Sequence, residues 1–222
     1  MTTKPYVLAC CALLLAACGG GGDSGPSNAE IQAQIAKEAN DFCEGKTFIK
    51  PDDSPYVLPW SPGATYKMSQ GNCSPGLGGH KDRFAYDFDL NMGDPVYASL
   101  GGTVDVVIGT FSDNDHIEGH ENRVNILHDN GTLMWYVHLM QGSTVVTKGQ
   151  RVERGDLLGL TGNSGNSSFP HLHVQLFRDN MDFSPNRTRP ISYNNVDGLT
   201  RPSGELIEGQ LYTAKPFSVF DE

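Results

Sequence analysis

The sequence predicts a mainly β protein: a flattened antiparallel sheet of barrel-sandwich type, preceded by a short helix near the N-terminus. Three observations predict it. Gly (26) and Pro (13) are abundant among 222 residues, which favours a turn-rich β chain over a helix bundle. Short apolar runs bounded by turn residues recur from about residue 50 to 195. Apolar residues make up 38% and charged residues 19%, which supports a packed core and excludes wholesale disorder. With 16 Lys and Arg against 26 Asp and Glu, the formal charge is −10 and no basic block is present. Nucleic acid is therefore not an expected partner.

Residues 1–17 read as a secretory signal: Lys4, then an apolar run from Tyr6 to Ala17. That run is about a dozen residues, short of the ~20 that span a bilayer. Leu15-Ala16-Ala17-Cys18 resembles a bacterial lipobox, which implies a lipid on Cys18. Gly at position 19, where Asp would signal retention, implies outer-membrane sorting facing the periplasm. The plainer alternative is cleavage near Ala17 with Cys18 incidental. Residues 18–28 form a Gly-rich tether. Residues 29–50 hold the helix segment. Over 29–44, Ile31, Ile35, Ala39 and Phe42 share one helical face, and Ser27 or Asn28 caps it.

Residues 51–195 then form the main domain. Its expected strands are Arg83–Asp89, Pro95–Ser99, Gly102–Ile108, Arg123–His128, Thr132–Leu139, Leu157–Thr161 and His171–Phe177. Asn130-Gly131 is a hairpin turn between two of them. Residues 196–222 read as a C-terminal tail of weak periodicity. Of five Cys, Cys43 and Cys73 remain once the signal and Cys18 are set aside. In an oxidising compartment an even pair reads as a disulfide; a metal site is the competing reading, and no C-x-x-C supports it.

Two Gly-Asp strand starts, at Gly93-Asp94 and Gly155-Asp156, resemble biotinyl and lipoyl carriers. Lys148 lacks the hairpin-tip setting of a modified lysine, so the pattern speaks for strand architecture rather than for a carrier.

Seven His are present, and several stand where chemistry is possible. In Pro170-His171-Leu172-His173-Val174, a strand places His171 and His173 on one face and Leu172 and Val174 on the other. Alone, such a pair is more often incidental than functional. In Phe84–Asp89, alternation sets Ala85, Asp87 and Asp89 opposite Phe84, Tyr86 and Phe88. A carboxylate in so apolar a strand requires a partner: a metal, or a salt bridge to Lys81 or Arg83. His80 lies seven residues upstream and is able to fold back onto Asp87. In Tyr136-Val137-His138-Leu139, alternation puts His138 on the Tyr136 face, the setting of a packed histidine. His116 and His120 read as loop residues, His128 as structural, and Asn122 as support for a site.

Together, His80, Asp87, Y-V-H-L at 136–139, T-G-N-S-G at 161–165 and P-H-L-H at 170–173 resemble the lysostaphin-type (LytM-like) zinc peptidases. The resemblance spans about residues 55–178. It implies a zinc endopeptidase that cuts peptide cross-links of peptidoglycan, with one Zn²⁺ per chain. It implies His80, Asp87 and His173 as metal ligands, and His138 and His171 as catalytic residues acting on a zinc-bound water. The sequence departs from the common H-x-x-x-D spacing, which leaves Asp82 and Asp89 as substitute ligands. Non-catalytic relatives that activate cell-wall amidases usually lack a zinc residue, and all five positions are filled here. A cupin site would need a Glu near the H-x-H, where Gln175 stands. The N-terminal helix or the loop around residues 72–79 is a candidate to cover the cleft, with Asn72 or another polar side chain at the open zinc position.

Overall fold

The strands arise where β-branched and aromatic residues alternate with polar ones between Gly, Pro, Asn and Asp turns. The computed structural model describes residues 46–74, 79–80, 83–184 and 187–217. The signal, Cys18, the tether, the expected helix and Cys43 lie outside them. Residues 46–50 are irregular, and Pro51–Asp53 forms a single 3-10 turn.

In chain order the strands are β1 (Thr65–Gln70), β2 (Ala85–Phe88), β3 (Pro95–Tyr97), β4 (Gly102–Ile108), β5 (Arg123–Leu127) and β6 (Leu133–Val137). They continue as β7 (Arg151–Val152), β8 (Leu157–Leu160), β9 (Leu172–Phe177), β10 (Thr188–Arg189), β11 (Val196–Asp197) and β12 (Leu211–Ala214). Ten strands form one sheet in the order β11-β12-β1-β2-β9-β6-β5-β4-β7, with β10 paired to the far end of β9. β3 and β8 form a separate two-stranded ribbon. Every strand pairing is antiparallel.

The period-two pattern sorts the sheet into two faces. Tyr86 and Phe88 of β2, Leu172 and Val174 of β9, Met134 and Tyr136 of β6, and Val124 and Ile126 of β5 belong to one buried core. The ribbon adds Val96 and Leu158 to the same core. Buried phenols there are expensive unless bonded. Tyr136 Oη accepts the Ser99 N–H at 2.7 Å, and Tyr212 Oη donates to the Leu199 carbonyl at 2.7 Å. The opposite face carries Asp87, His173 and Gln175, and it is here that the polar residues of the alternation collect.

All seven expected strands form, most of them shortened at their ends. The Asn130-Gly131 turn joins β5 to β6, with Gly131 at φ 83° and its N–H donating to the His128 carbonyl. Five strands lie outside the sequence-derived set: β1, β7, β10, β11 and β12. The stretch read as a tail contributes two of them. Thr213 pairs with Thr65 and Val196 with Ala214, so residues 196–214 extend the sheet beyond β1. Their side-chain periodicity is weak because each strand is short and its burial comes from the neighbour it pairs with.

Candidate functional site

Asp87 and His173 are direct cross-strand partners on β2 and β9, so both side chains rise from the same face at adjacent strands. His173 Nδ1 lies 2.8 Å from Asp87 Oδ1. His80 arrives from the segment before β2, and its Nε2 sits 3.1 Å from the same oxygen. The donor atoms of His80, Asp87 and His173 all lie within 4.8 Å of one another. His80 and Asp87 are buried. Burial opposes the Asp87 charge, yet the two imidazoles win and hold its carboxyl well below the usual carboxylate range. Burial likewise disfavours charge on His80, but the Asp87 carboxylate, its hydrogen bond and the Gly71 carbonyl outweigh it and raise its pKa. His173 shifts the other way, because burial dominates over Asp87.

The outward-facing nitrogens of the two histidines are tied down. His80 Nδ1 is 2.9 Å from the Gly71 carbonyl. A carbonyl only accepts, so the proton is on Nδ1 and Nε2 is the donor atom toward the cluster. His173 Nε2 is 3.1 Å from Gln175 Oε1, which leaves Nδ1 facing Asp87. Such outer hydrogen bonds fix tautomer and ring orientation in metal-binding histidines. Two imidazoles and one carboxylate make a three-ligand set that fits zinc with an open fourth position.

His171 and His138 complete the cluster. His171 stands one residue before β9, on the His173 face, and its Nε2 is 3.8 Å from Asp87 Oδ2. Its Nδ1 faces the Phe169 carbonyl at 2.9 Å and Ser167 Oγ at 3.2 Å. The His138 ring centroid is 4.6 Å from that of His171 and 6.1 Å from that of His173. Its Nδ1 donates to the Ser164 carbonyl at 2.8 Å, leaving Nε2 as a lone-pair acceptor. Burial, then the neighbouring imidazoles, push its pKa down to about 3.

His138 corrects the strand-alternation argument. β6 ends at Val137, and His138 has φ 64°. This left-handed residue breaks the period of two, so His138 turns to the site while Tyr136 stays in the core. A knot of hydrogen bonds behind it holds the strain. The Asn122 N–H donates to Ser164 Oγ, that hydroxyl donates to the Leu139 carbonyl, and the Leu139 N–H donates to the Asn122 carbonyl. Asn122 is thus a buried brace of the loop that orients His138.

Asp87 pairs with histidines; no ion pair links it to Arg83, and Lys81 lies outside the described residues. Asp89 is not among the clustered donors, and Asp82 lies outside the described residues. Asn72 turns away from the site: its Nδ2 donates to Tyr86 Oη at 2.9 Å and to Glu205 Oε1 at 3.2 Å. Asn72 itself therefore does not cover the ligands; residues 75–78 of that loop and the N-terminal helix lie outside the described residues. His116 is exposed, and His120 stacks on Phe111 at 4.2 Å. His128 is structural, with Nδ1 at 2.8 Å from the Gly101 carbonyl. Of the outer supports, Ser164 lies in the T-G-N-S-G motif and Gln175 follows the H-x-H by two, while Gly71 and Ser167 carry no recognisable motif of their own.

Beside the ligands lies a groove of about 230 Å³ lined by Arg83, Arg123, Trp135, Val137, Glu118 and Glu121 together with His138 and His173. The 109–121 loop that carries those acids is fastened to the 161–166 loop. Asp113 Oδ1 accepts the Asn163 N–H, Asp115 Oδ1 accepts the Gly165 N–H, and Glu121 Oε1 accepts the Asn166 N–H.

Residues 81–185, just under half of the chain, match the model of Peptidase family M23. Asp87, His138, His171 and His173 fall inside that range, and His80 one residue before it. The peptidoglycan DD-endopeptidase ShyA of Vibrio cholerae is 40% identical over 90 residues, 40% of this chain and 19% of its own length. The glycyl-glycine endopeptidase ALE-1 of Staphylococcus capitis is 33% identical over 95 residues, 42% of this chain and 24% of its own length. The chain thus spans only about a fifth to a quarter of these curated relatives. Among solved structures, the antimicrobial peptidase lysostaphin from Staphylococcus simulans aligns at 26% identity and a TM-score of 0.46, covering 61% of this chain and 50% of that one.

Proposed function

We propose that the M23-type segment makes this chain a zinc-dependent peptidoglycan endopeptidase. The observation that carries the reading is the convergence of His80 Nε2, an Asp87 carboxylate oxygen and His173 Nδ1, with His138 and His171 beside them. His80, Asp87 and His173 would hold the metal. Bound zinc supplies Lewis acidity and lowers the pKa of a water in its open position to about 7.

The chain's own residues do the rest. His138 and His171 each have Nδ1 engaged by a backbone carbonyl, so their neutral forms present only a lone pair at Nε2. His138, held neutral at pH 7 by burial, is suited to orient a water through its Nε2 lone pair, and His171 beside it to accept that water's proton. A donor toward a tetrahedral oxyanion, or toward the leaving amine, is available only after such a proton has been taken up. The rigid carbonyl partners spare the imidazoles any reorientation during that transfer.

The same reading includes the envelope setting: signal 1–17, a lipid on Cys18, and an outer-membrane anchor facing the periplasm, where peptide stems of peptidoglycan are the partner. It includes the Cys43–Cys73 bridge, supported by Cys73 being buried and disulfide-bonded. A Gram-negative envelope setting favours D-Ala linked to a diamino acid as the bond cut, and the similarity to a DD-endopeptidase agrees with a peptidoglycan cross-link.

The test is digestion of purified peptidoglycan by the detergent-solubilised chain, read by mass spectrometry. Zinc-loaded protein should release new free carboxyls and amines from cross-links. A chelated sample and His138→Ala should not, the latter falling by about 10²- to 10⁴-fold while retaining its zinc. Undiminished cleavage by the chelated protein would remove zinc from the mechanism. Absence of both zinc binding and cleavage would favour the amidase-activating alternative, whereas bound zinc without cleavage would point to a covered cleft or another substrate.

A further inference from the structure

We infer that Arg123 is a specificity-determining residue whose guanidinium anchors a free carboxylate of the substrate, within about two residues of the scissile amide. The inference rests on the endopeptidase reading and names its substrate class: cross-linked peptides that keep a free carboxylate, as opposed to plain glycine bridges or amidated stems.

The placement comes from the register. Arg123, Val137 and His173 are successive cross-strand neighbours on β5, β6 and β9, so all three rise from the ligand-bearing face. Two strand spacings put Arg123 roughly 10 Å from His173 along the groove floor. An extended peptide covers that in about three residues, and an arginine side chain shortens the reach.

The guanidinium is also pre-set. Its central carbon lies 5.0 Å above the Trp135 ring. Trp135 is backed in turn by Phe177 at 4.8 Å and Phe183 at 5.2 Å. Stacking on an indole holds the planar fork flat and lowers the entropy lost on binding.

Among the described residues it has no ion-pair partner, whereas Arg151 pairs with Asp129 and Arg201 with Glu205. Its Nε is buried with no hydrogen bond. Glu121 faces it electrostatically, but Glu121 Oε1 is occupied by the N–H groups of Gly119 and Asn166. Partial burial lowers the Arg123 pKa, the mark of a cation stripped of some of its water. A fixed, partly dehydrated and unpaired guanidinium beside a hydrolytic centre is complementary to a planar anion, and a carboxylate matches its fork.

The experiment compares two cross-linked peptide dimers, one with free α-carboxylates and one with those groups converted to carboxamides, using the full zinc-loaded chain. The wild type should favour the carboxylate dimer by about 10- to 100-fold in kcat/KM, as expected for a charge-assisted bond. Arg123→Gln should lose that preference mainly through KM and cleave the amidated dimer within about twofold of wild type. Arg123→Lys should keep part of the preference, and it serves as the test if the Gln variant does not fold. Equal wild-type rates on both dimers, or equal losses on both in the variants, would overturn the inference. A parallel calorimetric titration of both dimers uses His138→Ala with and without the Arg123 change. If the wild type cleaves neither dimer, the endopeptidase reading falls. The ratio of binding affinities then still decides Arg123: a preference abolished by its substitution supports the anchor, and an unchanged ratio removes it.

Discussion

At the residue scale, two buried side chains carry distinct predictions. Burial pushes the His128 pKa down to about 4, against 6.5 for a free imidazole. The folded state therefore refuses a proton that the unfolded state takes up below pH 6.5. Stability attributable to His128 is intact above pH 6.5 and declines as pH falls toward 4, by about 3 kcal/mol in all. His128→Gln should flatten the pH dependence of the unfolding free energy in that window; parallel slopes in denaturant titrations of the two proteins would contradict it. Gln175 makes the other prediction. Its Oε1 receives the outer N–H of His173. Gln175→Leu should lower zinc affinity by about 10- to 100-fold, read by competition with a chromogenic chelator, with little effect on the fold. Asp87, His171 and His173 were legible because their strands keep a strict period of two. His138 was misplaced by the same rule, since a left-handed residue at the end of β6 is invisible to alternation. Asn72 was misassigned for a related reason: its polarity suggested the cleft, but the chain turns it toward the Tyr86 hydroxyl.

At the scale of elements, the decisive unit is the pair of loops behind His138. Gly162 lies where an added Cβ would stand 2.4 Å from both the Met140 nitrogen and Asp113 Oδ1. Gly162→Ala should push the 161–165 loop off the Ser164–His138 contact and cut turnover by about tenfold or more, the scale of a positioning loss. Zinc stoichiometry should stay unchanged, since no metal donor is on that loop. Metal analysis beside kcat separates the two; loss of zinc together with activity would assign the loop a different role. T-G-N-S-G is legible as a motif of the resemblance, and Asn122 as a support for the site. The acidic clamp of Asp113, Asp115 and Glu121 is not legible. Acids in a polar loop carry no signal of their own, and only the fold shows that their carboxylates accept backbone N–H groups some fifty positions away. Likewise β11 and β12 were unreadable, because strands of 2 and 4 residues are defined by their neighbours rather than by their own periodicity.

At the scale of the whole molecule, the metal couples to folding. The three donors come from two central strands and the segment leading into one of them, so the set exists only when the sheet is assembled. Zinc at a hundred times its dissociation constant should stabilise the chain by about 2.7 kcal/mol. For a domain of this size that is a rise in Tm of about 5–10 °C, reversed by chelation in a scanning calorimeter. An unchanged melting curve would mean that the ligands bind no zinc in the folded chain. The overall class was legible from glycine, proline and short alternating runs. The closing of the sheet by distant segments was not, since nothing local in Thr65–Gln70 announces a partner at Leu211–Ala214.

The ends of that sheet have a further consequence. Both outermost strands, β7 and β11, are only two residues long. Each presents almost no row of unpaired N–H and C=O groups on which another copy could add a strand. At those two strands a second copy finds little to template on; the longer uncovered stretch is β4 beyond its two-residue pairing with β7, so any strand addition between crowded molecules would begin there.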